Sequence, residues 1–320
     1  MLNRIKVNQQ LKSVFTIYAL LATVFIVLTI ISPSYRSIEN IGNVIVQCIP
    51  LAVVSLGQTV VIIGGGIDMS VGSIISVSTC ISAVTMSSEN PVSLAGGILL
   101  VFLAAIVIGT VNGLGINYAK VPPMITTLSM MTVLSGISLA ILPVAGGKIN
   151  KVFANTVMAR FGVLSVPLII LAVVYFLLHR LMYHTKFGTH VYAVGNNAKI
   201  ASSMGVKAKH ISILTYIIAA LCAATTGVLL ASRMRIGDPL IGNSFALDSI
   251  TAAAIGGTAL SGGMGLISGT IAGAFLIGML SNMMNILGIN HFYQYVLKGL
   301  LLVIAMIVYS VSKSLRGKLQ

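Results

Sequence analysis

Charge is too scarce in this chain for it to fold as a water-facing globule. Asp, Glu, Lys and Arg make up only 8% of its 320 residues, against about a quarter in soluble domains, which need that charge to wet their surface. Apolar residues make up 57% and the mean hydropathy is +1.04, so the excess has to face lipid. A bilayer admits only structures that satisfy their own backbone N–H and C=O groups, and helical runs of about 20 apolar residues do so. The expected fold is therefore all-α, a polytopic transmembrane helical bundle. Candidate spans lie near 14–32, 44–63, 71–86, 94–117, 124–145, 163–182, 211–232, 248–261, 266–287 and 293–311. That is about ten spans, within a range of eight to ten. The runs at 71–86 and 248–261 are short, and Pro122, Pro123, Gly136 and Pro143 interrupt the fifth. The first run is too long for a signal-peptide core and lacks an A-x-A-like end, so it reads as an uncleaved span. No connection is long enough to form a separate soluble domain, so residues 1–320 are expected to form one transmembrane domain.

The few charges are placed at the ends of the apolar runs. The acids are Glu39, Asp68, Glu89, Asp238 and Asp248, against 19 Lys and Arg, a net +14. Nucleic-acid binding would need cations clustered with aromatic or polar readers, and this arrangement speaks against it. Orientation during insertion explains the cations better. With ten spans and a cytoplasmic N-terminus, Arg4, Lys6, Lys12, Lys120, Arg180, Lys186, Lys199, Lys207, Lys209, Lys313, Arg316 and Lys318 fall inside. Arg36, Lys148, Lys151, Arg160, Arg233 and Arg235 fall outside, and Lys298 within the last span. Twelve against six favours both termini in the cytoplasm. The largest polar stretch, 183–212, is then cytoplasmic and carries Lys186, Lys199, Lys207 and Lys209 with no acid. Its middle, 197–204, is predicted to form two helical turns between Gly195 and Gly205. A floppy linker would be more uniform in Ser, Gly and Pro, so residues 183–210 read as an ordered elbow.

The strongest local feature is Gly64-Gly65-Gly66-Ile67-Asp68-Met69-Ser70-Val71-Gly72-Ser73. An ionised Asp at the centre of a membrane helix costs about 2.5–3.5 kcal/mol on insertion scales. It therefore belongs at a helix break, which the three glycines supply. Asp68 either caps the following helix or stands with Ser70 at a transport path or its gate, and the two roles are compatible. Gly65-Gly66, five residues, then Gly72 reappears as Gly262-Gly263, five residues, then Gly269, with Ile74 matched by Ile271. Paired glycine-interrupted segments mark the central pathway of many transporters; among 32 glycines a chance match produces the same pattern.

Catalytic constellations do not assemble. Leu260-Ser261-Gly262-Gly263-Met264 imitates an ATPase signature, but the phosphate loop that must accompany it is missing. Gly146-Gly147-Lys148 is followed by Ile149 and has no upstream glycine at the required spacing. The histidines (179, 184, 190, 210 and 291) form no triad or HExxH arrangement. Cys48, Cys80 and Cys222 show no ligand spacing and read as helix-packing side chains. No enzyme activity, metal or cofactor is expected. Gln47, Gln58, Asn112, Asn117, Thr126, Thr127, Asn282 and Asn285 are polar groups inside spans, and Asn282 and Asn285 share a helix face at i, i+3. Uncharged hydrogen-bonding groups suit a neutral polyol solute; the alternative is bonding between helices, worth about 0.6 kcal/mol each. Without chains of carboxylates, a proton-coupled pump is not expected.

Gly65-Gly66-Ile67-Asp68-Met69-Ser70-Val71-Gly72-Ser73 resembles the GGIDLSVGS motif of ribose/xylose/galactoside (and autoinducer-2)-type ABC importer permeases, with Met69 for the usual Leu. Further similarities come in order: Thr127-Leu128 and Gly136; Gly195-Asn196, Ala201 and Gly205; Pro239, Gly242 and Leu247-Asp248; Gly256-Gly257-Thr258; Gly262-Gly263-x-Gly265 with Gly269-Thr270; and Tyr293-Gln294. They extend over roughly residues 40–310. Where the family has Glu-Leu-Asp, this chain has Ala246-Leu247-Asp248, which puts in doubt whatever outer-face contact that Glu makes. The resemblance implies a bacterial inner-membrane dimer of permease chains, identical or similar, a separate ABC ATP-binding subunit below and an extracytoplasmic sugar-binding protein above. On that footing Gly195, Asn196, Ala201 and Gly205 would couple the elbow to the ATPase. Asp68, Ser70, Asn112, Thr126, Thr127, Asn282 and Asn285 would line the path or gate, and Pro239 and Asp248 would make the outer-face contact. The rival reading is a stand-alone secondary carrier or channel for a small neutral solute.

Overall fold

The structure, a computed structural model, describes residues 2–31, 33–161, 164–290, 292–294, 296, 297, 299, 300 and 303. Most of the expected tenth span, with Lys298 and the basic residues Lys313, Arg316 and Lys318, lies outside the described residues. The helices are α1 (Leu2–Ile31), α2 (Ile38–Ile63), α3 (Val71–Thr85), α4 (Pro91–Asn117), α5 (Pro123–Ile141), α6 (Lys151–Val157), α7 (Val166–Tyr183), α8 (Lys186–Asn196), α9 (Ala198–Ser203), α10 (Ala208–Met234), α11 (Phe245–Ile255) and α12 (Ile267–Ile286). A two-stranded hairpin, β1 (Arg160–Phe161) with β2 (Leu164–Ser165), precedes α7.

The first nine expected apolar runs all become helices, but they do not all have the length of a span. Among the described residues six helices are long and apolar enough to cross a membrane: those at 39–63, 91–117, 123–141, 166–183, 208–234 and 267–286. At 1.5 Å per residue α3 is only about 22 Å long and α11 about 16 Å, against a hydrocarbon core of about 30 Å. An apolar window measures burial, whereas helix length is set by punctuation. The expected run at 248–261 stops at Ile255 because Gly256-Gly257 comes next, with Gly257 at φ +86°. The fifth run stops at Ile141 because Leu142 precedes Pro143, which pushes it to extended backbone. Starts are marked in the same local way. Ser37 caps α2 by accepting from Asn40 N, and Asn90 caps α4 by accepting from Val92 N, with Pro91 in the first turn.

Three helices form the inner part of the bundle. The spanning window of α2 is 89% buried, that of α12 72% and that of α10 61%, against 28% for α4, 22% for α7 and 17% for α5. α10 packs along α4, α2 and α3; α12 packs along α2, α11 and α1; α5 lies on α3. Small residues permit these close crossings. A methyl on Gly109 would stand 2.7 Å from Ile217 Cα, and one on Gly113 2.7 Å from Ile213 Cα. One end of the bundle is closed by hydrogen-bonded backbone: Gly146 bridges Gly237, and Asn150 N donates to Met86 O at 2.7 Å. At the other end sits the expected elbow, more structured than the sequence suggested. The two expected turns appear as α9, and α8 precedes them.

Candidate functional site

The Gly64–Ser70 segment breaks the chain between α2 and α3, as expected. α2 ends in a tightened turn, with Gly65 N donating to Ile62 O and Gly66 N to Val61 O at 2.9 and 3.0 Å. Gly65 is at φ +86°, a conformation that side chains resist. Beyond the turn Asp68 is fully buried, and side chains from neighbouring helices replace the backbone pairing that the break forfeits. With its amide oriented to satisfy both groups, Gln58 of α2 donates to Asp68 O and accepts from Asp68 N, both at 3.2 Å. Thr127 of α5 accepts from Met69 N at 3.1 Å. Asn112 of α4 donates through Nδ2 to Ser70 Oγ at 2.8 Å, and that hydroxyl donates to Asp68 Oδ1 at 2.6 Å. Ser70 N donates to the same Oδ1 at 2.8 Å. α10 contributes Tyr216, whose hydroxyl occupies the place a side chain on Gly66 would take.

The geometry bears on the capping role foreseen for Asp68. Its carboxylate does not cap α3 directly; it pins Ser70, the residue immediately before the helix, whose own side chain makes no cap bond. Three polar atoms of the cluster, Asp68 Oδ2, Asn112 Oδ1 and the Tyr216 hydroxyl, are buried without partners. Buried polar groups are ordinarily satisfied, and three orphans in one cluster depart from that rule.

The structure brings Asp68, Ser70, Asn112 and Thr127 together and leaves the other expected path residues elsewhere. Thr126 is half-buried and returns its hydroxyl to Pro122 O at 3.3 Å. Asn282 and Asn285 do not act as a pair. Asn282 is buried against α2, donating to Gln47 Oε1 at 3.2 Å, while Asn285 is exposed and accepts from Gln294 Nε2 at 2.7 Å. Pro239 and Asp248 are both buried, Asp248 with 8% exposure. The segment before α11 runs inward along α3: Thr79 pairs with the Asp238 backbone, and Gly242 N donates to Ser76 Oγ at 3.0 Å. Gly242 then presses on Gly72 with no room for a Cβ on either. In the single chain neither Pro239 nor Asp248 has an exposed side chain.

The elbow is keyed into the same break. A Cβ on Gly195, near the end of α8, would collide with Ile63 O, the last carbonyl of α2. Gly263 N donates to that carbonyl at 2.9 Å. Gly262 approaches so closely that a Cβ there would lie 2.8 Å from both Gly65 Cα and Gly195 O. Asn196 Nδ2 reaches Gly263 O at 3.3 Å, Tyr192 OH donates to Gly265 O at 2.8 Å, and Ile267 N donates to Tyr183 OH at 3.2 Å. The two glycine pairs singled out in the sequence therefore touch, with Gly195 between them. Their helical surroundings differ: α3, after the first pair, packs on α10, α5 and α4, whereas the second pair lies between α11 and α12, which pack on each other. Of the other elbow residues, Ala201 is buried, and Gly205 takes φ +84° with open space around it. Gln58, Tyr216, Tyr183 and Tyr192 are the participants that residue patterns did not single out as site residues. Gln58 carried a signal, an amide in an otherwise apolar run; the tyrosines carried none.

The sequence matches the family described as branched-chain amino acid transport system / permease component over residues 40–306. Among curated relatives, the ribose import permease protein RbsC of Bacillus subtilis (strain 168) is 37% identical over 287 residues, 88% of each chain. The ribose import permease protein RbsC of Escherichia coli (strain K12) is 31% identical over 92% of each chain. The D-allose transport system permease protein AlsC of the same organism is 30% identical, covering 90% of this chain and 89% of its own. No solved structure matches the chain.

Proposed function

The chain belongs to the branched-chain amino acid transport system / permease component family, and on that premise we propose that it forms the membrane path of an ABC importer for a monosaccharide. Relatives named for ribose and allose transport support the solute class, and the uncharged polar groups of the interior suit such a solute. A separate ATP-binding subunit drives the cycle and an extracytoplasmic sugar-binding protein delivers the solute. A second permease chain, identical or similar, completes the path. The chain lies in the bacterial inner membrane with the elbow and both termini cytoplasmic. The stretch from 236 to 255, a run of turns along α3 followed by the helix α11, counts as one crossing, which returns the total to ten when the last segment is included.

The observation that carries the mechanism is the meeting of Gly195 with the Gly64–Ser70 and Gly262–Gly263 breaks. Close-packed backbone transmits a displacement instead of absorbing it. When ATP binding closes the ATPase dimer, motion of α8 and α9 is passed to the C-terminus of α2 and the N-terminus of α12. Asp68, with Ser70, Asn112 and Thr127, is the latch that this motion works against. Reconstitution tests the reading directly. Liposomes holding the permease, its ATPase and its binding protein should accumulate labelled ribose or allose only with ATP inside. Gradient-driven uptake by the permease alone would establish the stand-alone carrier instead.

A further inference from the structure

Between the elbow and the bundle lies a cavity of about 840 Å³, within the size range of small-molecule sites. One wall is the Gly64–Gly66 break; the others are the end of α4, the first turns of α10 and the elbow around Asn196. Lys120, Lys199 and Lys209 line it, and no Asp or Glu does. Three exposed ammonium groups with no carboxylate among the lining residues favour an anionic occupant.

The polar groups point the same way. On α10, Lys209, Ser212 and Tyr216 recur at i, i+3 and i+7 and share one face. Tyr216 is 1% exposed, and its buried hydroxyl has no partner. Asn117 Nδ2 donates to Ser212 Oγ at 2.9 Å, which leaves the Ser212 proton free for an acceptor. The same α10 turn carries the positive end of a 27-residue helix with no side-chain cap. Lys209 Nζ is held 4.5 Å over the Tyr118 ring. Lys120 is in the left-handed region at φ +57°, a conformation that a residue with a Cβ resists, and strain of this kind collects at ligand sites.

We propose that this cavity binds a phosphate-bearing anion, with Lys120, Lys199 and Lys209 holding the phosphate oxygens and Ser212 and Tyr216 donating beside them. On the orientation given under the proposed function, on which this inference rests, the cavity opens to the cytoplasm. Free phosphate esters and the anionic headgroups of the inner leaflet share the required chemistry there. A neutral sugar would gain nothing from three cations, so the site is distinct from the solute path. Its occupant touches both the elbow and the Gly64–Gly66 break, the two parts that must shift together.

The test uses full-length permease in lipid nanodiscs, without ATPase or binding protein, so its outcome is independent of the uptake assay. In phosphatidylcholine discs inorganic phosphate is titrated by calorimetry at constant ionic strength; in discs doped with phosphatidylglycerol, retained lipid is counted by native mass spectrometry. A free-anion source gives saturable phosphate binding, and a lipid source gives stoichiometric phosphatidylglycerol. Either signal should weaken at least tenfold in the triple variant Lys120→Gly, Lys199→Gln, Lys209→Gln, because the charge-assisted contacts to the phosphate are removed. It should survive in Lys148→Gln, Lys151→Gln, altered at the opposite end. Tyr216→Phe removes only the orphan hydroxyl and should weaken binding severalfold, which keeps the test decisive even if the triple variant folds poorly. Absence of saturable binding of both probes, or equal binding by wild type and all site variants, overturns the proposal.

Discussion

Replacing Asp68 by Asn and by Ala separates what its carboxylate holds from what its charge does. In the native break Oδ1 accepts two bonds, from Ser70 N at 2.8 Å and from Ser70 Oγ at 2.6 Å, while Oδ2 is buried without a partner. Asp68→Ala strands both Ser70 donors in a buried site, and at about 1–3 kcal/mol for each orphan the loss is about 2–6 kcal/mol. Asp68→Asn keeps an acceptor for both. Two charge-assisted bonds fall to neutral ones, a loss of about 1–3 kcal/mol, but an incompletely paired carboxylate no longer has to be buried, which returns a similar amount. The Asn variant should therefore unfold within about 1 kcal/mol of wild type, and the Ala variant at least about 2 kcal/mol below it. Equilibrium unfolding in mixed micelles measures both, and ATP-driven uptake in the reconstituted importer is read beside it. The expected result is a stable Asp68→Asn chain whose uptake is lost, which assigns the charge to the gate. Equal destabilisation of the two variants would refute the hydrogen-bond accounting. Full uptake by Asp68→Asn would refute the gate and leave Asp68 as the anchor of α3 alone.

Three other perturbations in the backbone joints and one in the latch are sharp enough to fail. Gly195→Ala drives a methyl into Ile63 O and disturbs the Gly263–Ile63 bond; overpacking at about 1–3 kcal/mol and a lost hydrogen bond at about 1 kcal/mol give about 2–4 kcal/mol, with uptake abolished. Gly205→Ala meets open space and should lose only the left-handed preference, about 1–2 kcal/mol; if it uncouples ATPase activity from uptake as strongly as Gly195→Ala, the joint has been misplaced on the elbow. Lys120→Gly relieves a left-handed φ of +57° and should raise unfolding free energy by about 1 kcal/mol; a loss of stability would mean the lysine side chain holds the α4–α5 turn. Thr127→Val deprives Met69 N of its acceptor and should destabilise by about 1–3 kcal/mol, a change that unfolding in mixed micelles would reveal.

The chain's own residues settle the solvent, the element type and the position of the chemistry. Too little charge to wet a globule means lipid; lipid means helices; and an Asp preceded by three glycines means a break. Each is a local consequence of transfer free energy or backbone freedom, so it can be read along one strand of text. The elbow was legible for the same reason, as the long polar stretch, although the amphipathic α8 within it was not. Helix length was legible only in part. α11 looked like a span until Gly256-Gly257 ended it, and the burial of Asp248 depended on a run of turns lying against α3, which no window of hydropathy reports. The partners of the break were decided by tertiary packing alone. Gln58, Asn112, Thr127 and Tyr216 reach Asp68 or its neighbours from four helices, and nothing in their local sequence specifies that meeting. The same holds for Gly65, Gly195 and Gly262. Each was marked in the sequence, but only long-range packing brings the three backbones closer than any side chain would permit, and that closeness joins the elbow to the Gly64–Ser70 break.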